Sequence, residues 1–229
     1  MEGGILLFIT IQLDSMKIVI IGQNEGGSIE KMLHSLLPYR YERIWVLDRC
    51  TDDSSSILSE HGEYFVKTPD WLEGRQTAYA RNLGATIAQD DVLFLDGDRY
   101  VVAGSIEGIE NTENDIELLT IEKDSRIGIL NYKQIYGRVY NGFFSCGLFI
   151  KRSAIEKVVR FQGELFRIDM QADWGIEDTG LGDVCYHLRL SADLFRRCVL
   201  AGSFDKKSLD RSEILVKRFQ FRDKLNVKW

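Results

Sequence analysis

The first hundred residues alternate between short apolar runs and stretches with helical spacing. Apolar runs rich in β-branched residues are typical of buried strands, and they predict strands over residues 17–22, 43–48, 64–67 and 91–95. The intervening stretches predict a helix that Ser28 caps and helices over residues 54–61 and 77–87. Because strands that alternate with helices at short intervals build βαβ units, this half of the chain predicts a parallel sheet.

The second half is less regular. Its apolar runs predict strands over residues 115–121, 146–151 and 198–201, a short helix capped by Ser153, and a helix over residues 177–188. The sequence contains no internal repeat and no low-complexity tract. The pattern as a whole therefore predicts a single α/β domain in which a regular first half precedes a mixed second half.

Composition and charge narrow the class of protein. With 229 residues and 45% apolar content, the chain can bury one full-sized core. Its net charge of -6 lacks the basic footprint of a dedicated nucleic-acid-binding protein. The four cysteines are scattered without a CxxC pair, which argues against a zinc or redox site and predicts reduced, mostly buried thiols in a cytoplasmic protein.

The two ends of the chain carry different patterns. Residues 4–12 are apolar but shorter than the ~20 residues of a spanning helix, so neither a transmembrane segment nor a signal peptide is predicted. We interpret residues 1–16 as an N-terminal extension, an upstream-start artefact or an extra edge strand. Residues 206–229 carry eight Lys or Arg and three Asp or Glu. This basic amphipathic segment fits a lid over a diphosphate, a peripheral contact with anionic lipid on the inner membrane face or, as we favour, a helix packed on the core.

Polar clusters directly follow three of the predicted strands, at residues 23–25, 48–53 and 96–98. Ligands of parallel sheets bind beyond the carboxyl ends of the strands, so these clusters are expected on one edge. In the last cluster, Asp96 and Asp98 flank a glycine that permits a tight turn. Mg²⁺ and Mn²⁺ prefer carboxylate and phosphate oxygens, and such a metal would join the protein to a diphosphate. The alternative is an ordinary polar exit from a strand, because short Asp-x-Asp strings are common.

Two further acidic groups allow two interpretations each. Asp48 ends a predicted strand, where it either contacts the uracil or ribose of a nucleotide or belongs to a turn that caps the next helix. Glu177 and Asp178 follow an aromatic residue and a glycine, where they either supply a general base near an acceptor or stabilise a helix N-terminus. For Asp48 the residues alone leave both interpretations open, whereas for the acidic pair they favour the helix terminus.

Taken together, these segments resemble the family 2 glycosyltransferases, which have the GT-A fold. The resemblance covers about Lys17 to Arg189 and rests on five segments in the family's order: KIVIIGQNE, VLDRCTDDSS, ARNLGATIAQDDVLFLDGD, NGFFSCGLFIKRSAIEKV and WGIEDTGLG. It implies an α/β fold with a mostly parallel central sheet flanked by helices. A single domain would span residues 17–205, with a Rossmann-like nucleotide-binding half over residues 17–100 and a mixed acceptor half over residues 101–205.

The resemblance also implies roles for the matched residues. Mn²⁺ or Mg²⁺ would bind Asp96 and Asp98, and Asp178 would deprotonate the acceptor hydroxyl with Glu177 beside it. Inversion by a single displacement needs such a base, an activated acceptor and a stabilised leaving group. The nucleotide-binding positions would be Asn24, Glu25, Asp48, Arg81 and Asp96. The acceptor-binding positions would be Trp174 and Gly175.

One departure from the family concerns the metal. Many relatives have a late histidine that completes the metal shell, but His187 lies only nine positions after Asp178 and is interpreted as structural. Asp205 lies closer to the expected position and is the candidate third ligand. Arg99 follows the Asp-Gly-Asp motif directly, where a phosphate contact and an exposed salt bridge are both compatible with the sequence.

The sequence thus predicts an inverting glycosyltransferase of the hexosyltransferase type that uses a nucleotide-sugar donor. UDP is favoured because it is the common donor nucleotide among the relatives, and the acceptor can be a saccharide, a lipid-linked glycan, a protein or a modified nucleic acid. A nucleotidyltransferase is the first alternative, although its loop after the first strand would be basic, whereas GQNEGGSIE is acidic. A non-catalytic nucleotide-sugar-binding protein is the second, although it would be expected to lose Asp98 or Asp178. The lack of a GxGxxG pattern after the first strand excludes a Rossmann-type oxidoreductase.

Overall fold

The computed structural model describes residues 16–71, 76–123, 126–127, 146–168 and 176–202. The first half of this part of the chain contains β1 (Met16–Gly22), α1 (Gly26–Leu36), β2 (Glu42–Leu47), α2 (Ser54–Glu60), β3 (Phe65–Lys67), α3 (Thr77–Ala88) and β4 (Asp91–Asp96). The second half contains β5 (Arg99–Gly104), a 3-10 turn (Ile109–Asn111), β6 (Ile116–Lys123), β7 (Arg126–Ile127), β8 (Leu148–Ile150), α4 (Arg152–Gln162), α5 (Ile176–His187) and β9 (Ala192–Gly202).

The described strands form one central sheet in the order β3-β2-β1-β4-β8-β6-β9-β5, with β7 paired to β6. Strands β3, β2, β1 and β4 are all parallel, and β1 lies between β2 and β4 with Ile20 opposite Trp45 and Leu95. Beyond β4 the sheet is mixed, because β8 runs antiparallel to both β4 and β6 while β6 and β9 are parallel. The predicted fold class, with a parallel first half and a mixed second half, is confirmed.

Side chains alternate between two cores, one on each face of the sheet. Along β1, Ile18 and Ile20 pack in the core that α1 and α2 cover. Val19 and Ile21 pack in the core that α3, α4 and α5 cover. Because both faces of the parallel strands are buried, their sequences read as continuous apolar runs rather than as an alternation of apolar and polar residues.

Two helix starts that serines were predicted to cap are set by other side chains. Helix α1 begins two residues before Ser28, and the amide of its first residue donates to Asp52 Oδ2 at 2.9 Å. Helix α4 begins at Arg152, one residue before Ser153, and the Arg152 amide donates to Asp91 Oδ1 at 2.7 Å. The two predicted caps are therefore wrong, because acceptors from elsewhere in the fold satisfy these helix termini.

The structure contains strand residues that the sequence pattern did not indicate. Strand β5 had no predicted counterpart, and β9 begins at Ala192, well before the predicted strand over residues 198–201. Strand β9 pairs with β6 on one side and β5 on the other, and Arg196 and Arg197 lie exposed in its middle. Charged residues hide the apolar pattern here, and pairing with two distant strands stabilises the extended chain instead.

The cysteines lie as their scattered positions predicted. Cys146, Cys185 and Cys198 are buried, Cys50 is half-buried, and none of the four forms a disulfide. Burial raises the pKa of the Cys185 thiol above its ordinary value and raises the pKa of Cys198 to about 12. These two thiols therefore stay protonated near neutral pH and act as small apolar core residues.

The predictions for the two ends of the chain fall on residues 1–15 and 203–229, which lie outside the described residues. Among the helices that the structure does describe, none has both the length and the apolar character that crossing a bilayer requires. The interpretations of the N-terminal extension and of the basic C-terminal segment stay predictions.

Candidate active site at the carboxyl edge of the sheet

The loops that follow β1, β2 and β4 meet at one edge of the sheet, as predicted. The Asp48 amide after β2 donates to Gly22 O at the end of β1, at 2.8 Å. The Gly97 amide after β4 donates to Ile21 O, one residue earlier, at 2.7 Å. The end of β1 therefore holds both neighbouring loops, and all three polar clusters share the edge at which ligands of parallel sheets bind.

Asp96 is the last residue of β4, and its carboxylate forms an ion pair with Arg81 of α3. The Asp96 side chain is 34% exposed, whereas that of Arg81 is 4% exposed, and Arg81 Nη2 donates to Asp96 Oδ1 at 3.0 Å. The guanidinium also lies 5.6 Å from the centre of the Phe166 ring. Within the described part of the chain, Asp96 Oδ2 has no hydrogen-bond partner. Arg81, predicted as a nucleotide-binding residue, thus lies behind a carboxylate and orients it, with one oxygen left to accept a ligand.

Asp98 follows Gly97, and its carboxylate forms an ion pair with a second arginine, Arg99. Arg99 Nε lies 3.3 Å from Asp98 Oδ1, and the Asp98 side chain is 22% exposed. Arg99 itself is buried, so the interpretation of an exposed salt bridge is wrong, because pairing of β5 with β9 encloses the guanidinium. Gly202 packs on this loop, since a Cβ there would lie 2.0 Å from Asp98 O. The end of β9 therefore brings the chain directly to Asp98.

We call Asp96-Gly97-Asp98 the carboxylate turn. It presents two partly exposed carboxylates at a strand end, which is the donor chemistry that Mg²⁺ and Mn²⁺ accept. No group of three or more His, Cys, Asp or Glu that could hold a metal occurs among the described residues. Two carboxylates still suit Mg²⁺, which keeps several waters and takes phosphate oxygens from its substrate. The residues present thus fit a divalent cation shared with a diphosphate.

Asn24 and Glu25 connect the loop after β1 to its neighbours. Asn24 has a positive φ of 60°, a conformation that Asn tolerates better than most residues. Its Oδ1 accepts the amide of Thr51 at 2.7 Å, which ties it to the loop after β2. The Glu25 amide donates to Ser54 Oγ at 3.0 Å, and its side chain lies beside Gly97. The structure places Glu25 at the carboxylate turn and gives the Asn24 side chain a role in shaping the loops.

The Asp48 side chain is buried at this edge and connects several neighbouring segments through hydrogen bonds. Its side chain is 2% exposed, and it accepts hydrogen bonds from Thr68 Oγ1 at 3.1 Å, the Gln76 amide at 2.9 Å and Arg49 Nε at 2.9 Å. It therefore joins the end of β2 to both ends of the loop between β3 and α3. In the same cluster it is the Asp52 side chain that accepts the first amide of α2, at 3.1 Å, and the nucleoside contact proposed for Asp48 stays a prediction.

Asp52 stabilises two loops at once. Its Oδ1 accepts hydrogen bonds from the amide and hydroxyl of Ser54, and its Oδ2 accepts the Gly26 amide. Partial desolvation acts to raise the pKa of Asp52, but these hydrogen bonds outweigh it and hold the pKa below its ordinary value. Asp52 is therefore ionised at neutral pH and fixes the first turn of α1 to the first turn of α2.

Replacing Asp48 with alanine is expected to destabilise the protein by about 1–3 kcal/mol, because one buried and two partly buried donors lose this acceptor. Urea unfolding followed by circular dichroism measures the change in the free energy of unfolding. Asp70→Ala is the matched control, since Asp70 is exposed on the same loop and should unfold at the wild-type midpoint. Equal midpoints for Asp48→Ala and the wild type would show that this hydrogen-bonded network contributes nothing to stability.

Asn82, the neighbour of Arg81, anchors the chain that leads to the acidic pair. Its Nδ2 donates to Phe166 O at 2.7 Å, and its Oδ1 accepts the Phe166 amide at 2.8 Å. The Phe166 ring is buried and meets Phe94 of β4 edge to face at 5.3 Å. Sequence reasoning assigned no role to Asn82, although the Arg-Asn pair in the helix was the available signal.

The remaining predicted site residues are described in part or not at all. Glu177 and Asp178 fall in the first turn of α5, but their side chains lie outside the described residues. Trp174, Gly175 and Asp205 also lie outside them. His187 is exposed at the end of α5, with its ring 5.0 Å from that of Phe161. The structural role assigned to His187 stays a prediction.

The sheet order and the layout of this edge define a GT-A fold. No family model matches the chain, and no curated protein matches it. Among solved structures it is similar to glucosyl-3-phosphoglycerate synthase from Mycobacterium tuberculosis in complex with phosphoglyceric acid, with a TM-score of 0.60 and 16% identity over 94% of this chain and 81% of that chain.

Two further structures of the same mycobacterial enzyme give the same result. The complex with Mn²⁺, UDP and glucosyl-3-phosphoglycerate has a TM-score of 0.59 and 17% identity, over 92% of this chain and 78% of that chain. The complex with Mn²⁺, UDP-glucose and glycerol 3-phosphate has a TM-score of 0.59 and 16% identity, over the same shares of the two chains. At these identities the likeness shows the fold.

Proposed function

We propose that this protein is a metal-dependent glycosyltransferase that takes a sugar from a nucleotide-sugar donor, with a UDP-sugar as the favoured donor. The carboxylate turn carries the proposal. Asp96 and Asp98 leave a sheet edge with partly exposed carboxylates, and buried Arg81 and Arg99 support them from behind. Such a fixed pair of charges at the carboxyl end of a parallel sheet suits a cation bound to a diphosphate.

Mn²⁺ or Mg²⁺ would be held by Asp96 and Asp98, with Asp205 as a third ligand. The position of Gly202 supports the last assignment, because β9 ends against Asp98 only three residues before Asp205. When bound, the cation would neutralise charge on the departing nucleoside diphosphate. The solved structures of similar fold include complexes with Mn²⁺ and UDP, which supports this choice of metal and nucleotide.

The nucleoside half of the donor would lie over the ends of β1 and β2. Asn24 and Asp48 accept hydrogen bonds from backbone amides of the loops there, which supports a backbone shaped before the ligand binds. Glu25 lies between this region and the carboxylate turn, where it can meet a ribose hydroxyl. Arg81 would serve the nucleotide indirectly, by orienting Asp96 toward the cation.

Acceptor activation would come from the start of α5. Asp178 would take the proton of the acceptor hydroxyl as that oxygen attacks the anomeric carbon, with Glu177, Trp174 and Gly175 around the acceptor. A single displacement of this kind inverts the anomeric centre. The acceptor is a saccharide, a lipid-linked glycan, a protein or a modified nucleic acid, and the phosphoglyceric acid of a structure with similar fold adds small phosphorylated hydroxy acids to the set worth screening.

The nucleotidyltransferase alternative is disfavoured by the loop after β1. An enzyme of that class would use backbone amides and basic side chains there to bind a triphosphate. In this protein the first amide of α1 donates to Asp52, and the Glu25 carboxylate lies 3.2 Å from the Ser28 hydroxyl in the first turn of the same helix. This acidic environment repels a triphosphate, whereas the carboxylate turn suits a metal-bridged diphosphate.

The wild-type protein is expected to bind UDP at least about tenfold more tightly with Mn²⁺ than in EDTA, because the cation bridges two carboxylates to the diphosphate. Isothermal titration calorimetry with UDP and GDP, each in Mn²⁺ and in EDTA, measures this difference. Equal affinities in Mn²⁺ and EDTA for the better-bound nucleotide would refute the metal bridge.

A further inference from the structure

Ser28 reaches the middle of the carboxylate turn from the first turn of α1, across 69 positions of the chain. Its hydroxyl lies 3.1 Å from Gly97 O, 3.0 Å from Glu25 O and 3.2 Å from Glu25 Oε2. A serine hydroxyl has one hydrogen and can therefore donate to one of these acceptors at a time. The bond to Gly97 is the one that joins α1 to the turn that carries Asp96 and Asp98.

Gly97 is fixed on its other sides. Its amide donates to Ile21 O at 2.7 Å, and the residue is buried. A Cβ at this position would lie 3.1 Å from Glu25 Cγ and 3.3 Å from Ile21 O, so the peptide is enclosed between the end of β1 and the Glu25 side chain. The carbonyl of Gly97 faces Ser28, whose hydroxyl is placed to donate to it.

We infer that Ser28 is a positioning residue of the metal site, an inference that rests on the proposed function. By holding the Gly97 carbonyl, Ser28 sets the orientation of the peptide that separates Asp96 from Asp98. The turn fixes the backbone positions from which the two carboxylates project, and Arg81 and Arg99 then orient the side chains. Mg²⁺ and similar small cations demand near-ideal geometry, and residues that orient ligands without touching the metal affect its affinity for that reason.

Ser28→Ala is expected to weaken the apparent affinity for Mn²⁺ by about 10-fold in the presence of UDP, while UDP affinity in EDTA stays at the wild-type value. Calorimetric titration of Mn²⁺ into the protein with saturating UDP measures the first quantity. Ser28→Thr keeps the hydroxyl and is expected to retain the wild-type Mn²⁺ affinity. A loss of folding alone would lower both affinities, so the comparison separates positioning from stability.

Ser35→Ala is the matched control. Ser35 lies on the same helix, donates to Met32 O at 2.8 Å and accepts the amide of Val101 in β5 at 3.2 Å, but it does not contact the carboxylate turn. Its removal should cost stability without changing the Mn²⁺ affinity. If Ser28→Ala does not fold, Ser28→Cys replaces it. Because its S–H is a weak donor, the cysteine variant should bind Mn²⁺ more weakly than the wild type, by less than the about 10-fold expected for alanine.

The outcomes separate the two proposals. If the wild-type protein binds UDP with the same affinity in Mn²⁺ and in EDTA, the proposed function is overturned. If the wild type does show Mn²⁺-dependent binding and Ser28→Ala matches it, the role of Ser28 is overturned while the proposed function stands. An equal loss in Ser35→Ala would also overturn it, because the effect would then arise from the stability of α1.

Discussion

Replacing Asp178 with asparagine is expected to lower the rate of sugar transfer by about 10²–10⁴-fold, while the affinity for the donor nucleotide stays near the wild-type value. Asparagine keeps the size of the side chain and its capacity for hydrogen bonds, but it cannot take a proton. A general base acts on the acceptor in the transition state and contributes little to donor binding. The loss should therefore appear in turnover rather than in UDP affinity.

The measurement begins with a screen of UDP-sugars against the proposed acceptor classes in the presence of Mn²⁺. Turnover and UDP binding are then compared for the wild type, Asp178→Asn and Glu177→Gln. The glutamine variant is the neighbouring control, and it should raise the KM for the acceptor more than it lowers turnover. Near-normal turnover in Asp178→Asn would refute its assignment as the base and make Glu177 the next carboxylate to test.

Asp98→Ala is expected to remove the Mn²⁺-dependent gain in UDP affinity. A direct ligand should contribute more than the 10–100-fold that is typical of an outer-shell partner, so the apparent Mn²⁺ affinity should fall by about 10²-fold or more. The substitution also leaves buried Arg99 without the carboxylate 3.3 Å away, and some loss of stability is expected. UDP affinity in EDTA should stay unchanged, because that part of binding does not use the cation.

Calorimetry in Mn²⁺ and in EDTA measures both affinities, and thermal unfolding shows that the variant is folded at the temperature used. Asp98→Asn retains the shape of the side chain and tests whether the negative charge is what matters. Asp193→Ala is the control for net charge, since Asp193 is exposed at the start of β9. A folded Asp98→Ala protein that keeps the full Mn²⁺-dependent gain would exclude Asp98 as a ligand.

Much of the first half of the fold follows from local patterns in the sequence. The apolar runs that became β1, β2 and β4 are continuous because both faces of these strands are buried, and the helical stretches between them force a parallel arrangement. Once the strands are parallel, their carboxyl ends must share an edge. The meeting of residues 23–25, 48–53 and 96–98 was therefore predictable without any knowledge of side-chain contacts.

The partners of the site residues were not predictable in this way. Arg81 and Asp48 have charged side chains of the kind that bind ligands, but both are buried. Arg81 pairs with Asp96, and Asp48 accepts hydrogen bonds from Thr68 and from the Gln76 amide. Their partners lie many positions away in the chain, and no periodicity links them. Burial of this kind depends on how α3 and the loop before it pack on the sheet.

The sequence by itself determined the alternation of strands and helices, the shared edge and the two carboxylates of the turn, because each of these follows from local patterning and strand direction. Only the tertiary structure decided which groups hold those carboxylates, where α1 and α4 begin, that β5 forms a strand, and that β9 begins as early as Ala192. Those features depend on hydrogen bonds between distant segments, such as Ser28 with Gly97 and Arg152 with Asp91. Their donors and acceptors become neighbours only after the chain has folded, so local propensity cannot predict these hydrogen bonds.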